Sequence, residues 1–121
     1  MYKTVTRVLK IFLALVATII VLNIAVVTAC SYYDAHTRKV LLREAAQELP
    51  SRASSGEMAE FMRRHTTGYS FDEKYHHEYI GIAPQTSLDR FLFDRKVQVV
   101  LKVNEDKTFL NAEVRIFYTF L

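Results

Sequence analysis

The sequence predicts an α+β fold: an N-terminal transmembrane or signal helix, then one or two short helices packed on a small antiparallel sheet of three to four strands. Three observations carry this. Ile11 to Ala29, IFLALVATIIVLNIAVVTA, holds no charged side chain. Ser54-Ser55-Gly56-Glu57 has the Ser-x-x-Glu form of a capping box, in which each side chain satisfies a free backbone N–H at the other's position. From Val97 to Tyr118 apolar and polar residues alternate, the period of a half-buried strand. The 121 residues divide into a signal or anchor segment over 1–30, a juxtamembrane stalk over 31–37 and an extracytoplasmic domain over 38–121.

As a helix, Ile11–Ala29 reaches about 28 Å, close to the hydrocarbon thickness of a bilayer. A charged residue at its centre would cost roughly 3 kcal/mol, so the absence of charge is what lipid demands. A helix apolar on every face needs either lipid or a larger protein around it. A chain of 14.0 kDa offers one small core at most. Lys3, Arg7 and Lys10 precede the run, and no acidic residue occurs before Asp34. On the other side Arg38, Lys39 and Arg43 are partly offset by Asp34 and Glu44. This bias directs the N-terminus to the cytoplasm and the domain to the periplasmic or extracytoplasmic side. Tyr32 and Tyr33 read either as interfacial anchors at headgroup level or as exposed linker residues.

Val27-Thr28-Ala29-Cys30 resembles the bacterial lipobox, a hydrophobic residue and two small ones before Cys. That resemblance implies that Cys30 carries a diacylglyceryl thioether, that the signal is cut before it and that the new amine is acylated. Ser31, in place of Asp, resembles outer-membrane sorting. The competing reading is an uncleaved signal anchor. It is supported by length, since cleaved signals have apolar regions of about 7–15 residues. Ordinary secretion fits that length least. Several acyl chains and a transmembrane helix both hold a protein durably, so the lipid bilayer is the first expected partner either way.

Beyond the stalk, Val40, Leu41, Ala45 and Leu49 form a loose apolar stripe, which predicts a helix over 38–49. Pro50 ends it, because the residue before proline avoids helical geometry. A second helix is expected over 54–66. Met58, Phe61 and Met62 lie on one side, and Arg63, Arg64 and His65 suit the negative end of its dipole. Gly68 breaks it. Tyr69–Phe71 and His76–Ala83 are strand candidates, and Pro84–Asp89 is a polar loop. Val97, Val99, Leu101 and Val103 then alternate with Gln98 and Lys102. After the turn Asn104–Lys107, the set Leu110, Ala112, Val114, Ile116 and Tyr118 alternates with Asn111, Glu113 and Arg115. Two such runs form a hairpin, which needs further strands and the helices to be stable.

The Ser-capped helix before Gly68-Tyr69-Ser70-Phe71-Asp72, the strand at 76–83 and the ending KVQVVLKVNEDKTFLNAEVRIFYTFL resemble small anchored bacterial envelope proteins. More distantly the pattern is similar to the SmpA/OmlA outer-membrane assembly lipoproteins, over about residues 54–121. The Gly-Met/Thr helix entry and Leu-Gly-x-Pro helix exit typical of that family are absent. Ser54-Ser55-Gly56 and Arg64-His65-Thr66 stand in their place. The resemblance implies a fold and an envelope compartment and transfers no binding residues.

Composition excludes several classes. Three of the 16 Lys and Arg lie in the first ten residues, leaving 13 against 13 Asp and Glu. A nucleic-acid module needs a basic excess on its folded surface, so none is expected here. The single Cys excludes an intrachain disulfide, and the three scattered glycines build no phosphate loop. The metal-type candidates are His76 and Glu78, placed on one strand face with His77 opposite and Asp72 or Glu73 as a further ligand. Exposed polar residues are the plainer reading of that segment. Asp89 and Asp94 beside Arg90 and Arg95 read as a solvated charged loop. No cofactor is called for, and an enzyme is not expected. Phe91 and Phe93, two apart on an extended segment, with Phe109, Phe117 and Phe120 on the last strand, are the candidate partner-binding residues. They form either a covered sheet face or an apolar patch rimmed by charge that binds another envelope protein. The expectation is a non-enzymatic, membrane-tethered module for protein interaction or envelope assembly. The alternatives are a small metal-binding protein or enzyme using His76 and Glu78, and a single-span structural subunit in which Asn23 seeks a partner within the bilayer.

Overall fold

The computed structural model describes residues 1–91 and 93–120, and for Phe120 only its backbone place in a strand. Two helices come first, α1 over Tyr2–Glu48 and α2 over Ser55–His65. Strands β1 (Gly68–Asp72) and β2 (Glu78–Ile82) follow, then a 3-10 turn over Leu88–Arg90, then β3 (Phe93–Val103) and β4 (Phe109–Phe120). The fold is therefore α+β, with a four-stranded sheet in the order β1-β2-β3-β4, every neighbour antiparallel. The chain divides into two compact units, Met1–His36 and Thr37–Leu121.

Helix α1 is longer than the pattern suggests. The stalk over 31–37 and the separate helix over 38–49 are one helix with the apolar segment. No Gly or Pro occurs before Pro50, so nothing in the backbone stops the helix earlier. The apolar segment is long and hydrophobic enough to cross a membrane, and its most apolar window is 0% buried. Its polar side chains turn back on the helix. Thr18 Oγ1 donates to the Ala14 carbonyl at 2.8 Å, and Asn23 Nδ2 donates to the Ile19 carbonyl at 3.1 Å. Such bonds satisfy polar groups in lipid without a second helix, so Asn23 has an internal alternative to a bilayer partner.

In the second unit one face of the sheet is covered by α2 and by the C-terminal part of α1. Ala45, Leu49, Ala53, Met58, Phe61, Met62, Val99 and Leu101 form the core, with Leu41, Tyr79, Phe109 and Ala112 packed against it. The capping box is present at Ser54 and Glu57 and fixes the start of α2, so that Met58, Phe61 and Met62 are all buried. Gly81 lies where α2 meets the sheet. A Cβ there would stand 2.9 Å from the Gly68 carbonyl oxygen and 2.9 Å from Met62 Cε, which is why only glycine fits.

Two strand expectations are corrected. β2 begins at Glu78, not His76; residues 73–76 form a turn, and His77 has a positive φ of 50°. In β4 the register shifts, with Lys102 opposite Asn111 but Val103 opposite Phe109, so Leu110 is left without a partner. This bulge exchanges the two residues. Phe109 packs on the core, and Leu110, expected inside, is 55% exposed.

Candidate functional site

The four described side chains of the five candidate partner-binding phenylalanines do not form one surface. Phe109 is half-buried in the core contact. Phe93 is half-buried and meets Tyr118 edge-on, ring centroids 6.0 Å apart. Phe117 is exposed on β4, on the face opposite the core. Phe91 does not share an extended segment with Phe93. It closes the 3-10 turn in helical geometry and is 74% exposed. The side chain of Phe120 lies outside the described residues.

Two exposed features involve these phenylalanines, besides the β1 edge with its exposed Tyr69 and Phe71. One is β4, an edge strand of 12 residues whose only strand neighbour among the described residues is β3 and whose Phe109 N–H donates to the Ala53 carbonyl at 2.9 Å. Arg38 Nε donates to the Val114 carbonyl on this strand at 3.4 Å. A long edge with exposed Leu110 and Phe117 can accept a further strand by backbone hydrogen bonding. The other is the 3-10 turn itself, where Leu88 and Phe91, three residues apart, both project outward.

That turn is held by a group the charge pattern misplaced. Asp89 and Arg95 are not solvated; they are 5% and 4% exposed. Arg95 donates to Asp89 Oδ1 at 2.7 Å, to the Thr37 hydroxyl at 3.1 Å and to the Tyr118 hydroxyl at 3.3 Å. The second Asp89 oxygen accepts the Thr86 backbone N–H at 2.7 Å and its hydroxyl at 3.1 Å. Burial pushes the Asp89 carboxyl up, but the Thr86 backbone N–H, the Arg95 guanidinium and the Thr86 hydroxyl outweigh it and hold the group below the usual Asp range. The sequence did carry a signal. Extending the alternation Val97, Val99, Leu101 one step back places Arg95 on the covered face. A cation there needs a buried anion, and Asp89 is six residues away.

His76 and Glu78 are parted. His76 is exposed in the turn between β1 and β2, whereas Glu78 is buried at the start of β2 on the uncovered face of the sheet. Glu78 faces Arg115 at 3.8 Å, and Arg115 in turn meets Glu113 at 3.3 Å, which meets Lys102 at 3.4 Å. This charged network surrounds Val100, which is fully buried on the sheet face opposite the core. Among the described residues no group of three or more His, Cys, Asp or Glu is placed to hold a metal ion. Cys30 is a free, half-buried thiol within α1.

Comparison with protein-family models, with curated proteins and with solved structures found no match.

Proposed function

We propose that this chain is a membrane-tethered, non-enzymatic module that displays its α+β unit on the extracytoplasmic side and binds another envelope protein along β4. The single observation that supports this most is the β4 edge, 12 residues long with exposed Leu110 and Phe117. A partner strand added there gains main-chain hydrogen bonds, and those two side chains supply apolar contact. Tethering raises the local concentration of both proteins, so a weak interface suffices. The basic flank of Lys3, Arg7 and Lys10 supports an N-terminus in the cytoplasm. A photo-crosslinking residue at position 117 tests this in the native envelope. The reading expects one reproducible adduct from 117 and none from the exposed position 75. Equal yields at both positions, or no adduct at 117, would contradict it.

A finer reading concerns Cys30. It is the only Cys, and it follows Val27-Thr28-Ala29 where the apolar run ends. That supports acylation of Cys30 after cleavage, with lipid chains in place of the helix as the tether. The intact mass of the mature protein tests it: a chain starting at an acylated Cys30 supports lipidation, and the full unprocessed mass supports a signal anchor.

A further inference from the structure

We infer that the end of the α+β unit bearing the 3-10 turn rests on the bilayer surface, with Leu88 and Phe91 entering the boundary between headgroups and acyl chains. The inference rests on the membrane tether of the reading above but not on its protein partner, since it uses residues outside β4.

The first argument is reach. Arg95 binds the hydroxyl of Thr37, and Asp89 binds Arg95, so the turn is fixed beside Thr37. Thr37 lies eight residues past Ala29, about 12 Å along helical backbone. The headgroup layer beyond the hydrocarbon is itself several ångströms thick, so a tether of eight residues keeps Thr37 within reach of it. The opposite end of the unit, with the turns at 73–76 and 104–107, is a full strand length away along β3, about 34 Å.

The second argument is shape and rigidity. Leu88 and Phe91 are 64% and 74% exposed. Two large apolar side chains held outward on one short turn are placed to enter an apolar layer together. The turn carrying them is not soft: the buried ion pair, the Thr86 bonds to Asp89 and the Phe91 N–H to the Leu88 carbonyl all fix it.

The third argument is charge. Arg90, exposed beside the two apolar residues, is held by Gln85 Oε1 at 2.9 and 3.0 Å. The nearby acids are engaged inward. Asp89 is buried against Arg95, and Asp94 accepts Gln85 Nε2 at 2.7 Å and faces Lys96 at 3.8 Å. A depression lined by Thr67, Gln85, Thr86, Ser87 and Arg90 opens at the same end, bringing hydroxyls and a guanidinium to the level of headgroup oxygens. An apolar wedge with a cationic, hydroxyl-bearing rim fits an anionic lipid surface.

The chain contains no Trp, so a single introduced indole is its own reporter. Phe91→Trp and Tyr75→Trp, both at exposed positions, are prepared in the full-length chain and incorporated into phosphatidylethanolamine–phosphatidylglycerol vesicles containing brominated acyl chains. Flotation of the vesicles reports the tether separately. The inference expects both variants to float, blue-shifted emission and loss of most intensity for Phe91→Trp, and unshifted, unquenched emission for Tyr75→Trp. Floating protein with Phe91→Trp no more quenched than Tyr75→Trp overturns the inference and leaves the tether intact. Failure to float overturns both.

Discussion

The two halves of α1 are one helix with two kinds of surface. Between Ile11 and Ala29 it carries Ile, Leu, Val and Ala around its whole circumference, and its most apolar window buries none of them against protein. From Thr37 to Glu48 it carries an apolar stripe only, and Leu41 and Ala45 pack on the sheet core while Arg43 stays exposed. The backbone is the same in both. What differs is what removes the apolar surface from water: a sheet in the second half and, on the proposed reading, lipid in the first. Mutations therefore separate the two, because each half fails for its own reason.

The largest effect is expected in the sheet-bound unit. Phe61→Ala empties a fully buried position and should cost about 3–5 kcal/mol of that unit's stability. Hydrogen exchange should then rise across β2 and β3, while membrane sedimentation is unchanged. Arg95→Leu leaves Asp89 as an uncompensated buried charge and should cost about 3–5 kcal/mol. Adding Asp89→Leu should recover part of that loss in denaturant unfolding, since the remaining apolar pair lacks the buried anion. The apolar half should answer to Ile20→Arg instead. That change costs roughly 3 kcal/mol of insertion and should release protein from membranes without altering hydrogen exchange in the sheet. Gly81→Ala should destabilise the α+β unit by about 1–3 kcal/mol through the clash with the Gly68 carbonyl. The smallest effect is a pH limb. The Asp89 carboxyl is lowered in the folded state, so its contribution is complete above the unfolded value near about 4 and is lost as pH falls through the folded value. Acid unfolding monitored by circular dichroism should be less steep for Asp89→Asn.

Which parts were legible follows the same division. The apolar half of α1 was legible as a helix long enough to cross a membrane because an uncharged run of that length is visible in one pass. The α2 cap and the burial of Met58, Phe61 and Met62 were legible because capping and helical spacing are local. The antiparallel sheet was legible from alternation. The exceptions are long-range. The bulge at Leu110 depends on how β4 meets β3, and no residue there marks it. The pairing of Asp89 with Arg95 depends on a turn that folds charge inward against Thr37 and Tyr118. Phe91 and Phe93 were expected side by side because spacing of two implies a strand, whereas the 3-10 turn rotates Phe91 away. Continuity of α1 escapes the sequence pattern for the opposite reason. A change from apolar to polar composition at Ser31 suggested a stalk, but a helix needs a breaker to end, and none comes before Pro50.

The proposed tether depends on lipid being the solvent of Ile11–Ala29. Alkaline carbonate extraction of membranes containing the full-length chain tests this most directly. The protein should remain in the membrane pellet and enter solution only with detergent. Recovery of the unprocessed chain in the carbonate supernatant, with its α+β unit still folded, would contradict it.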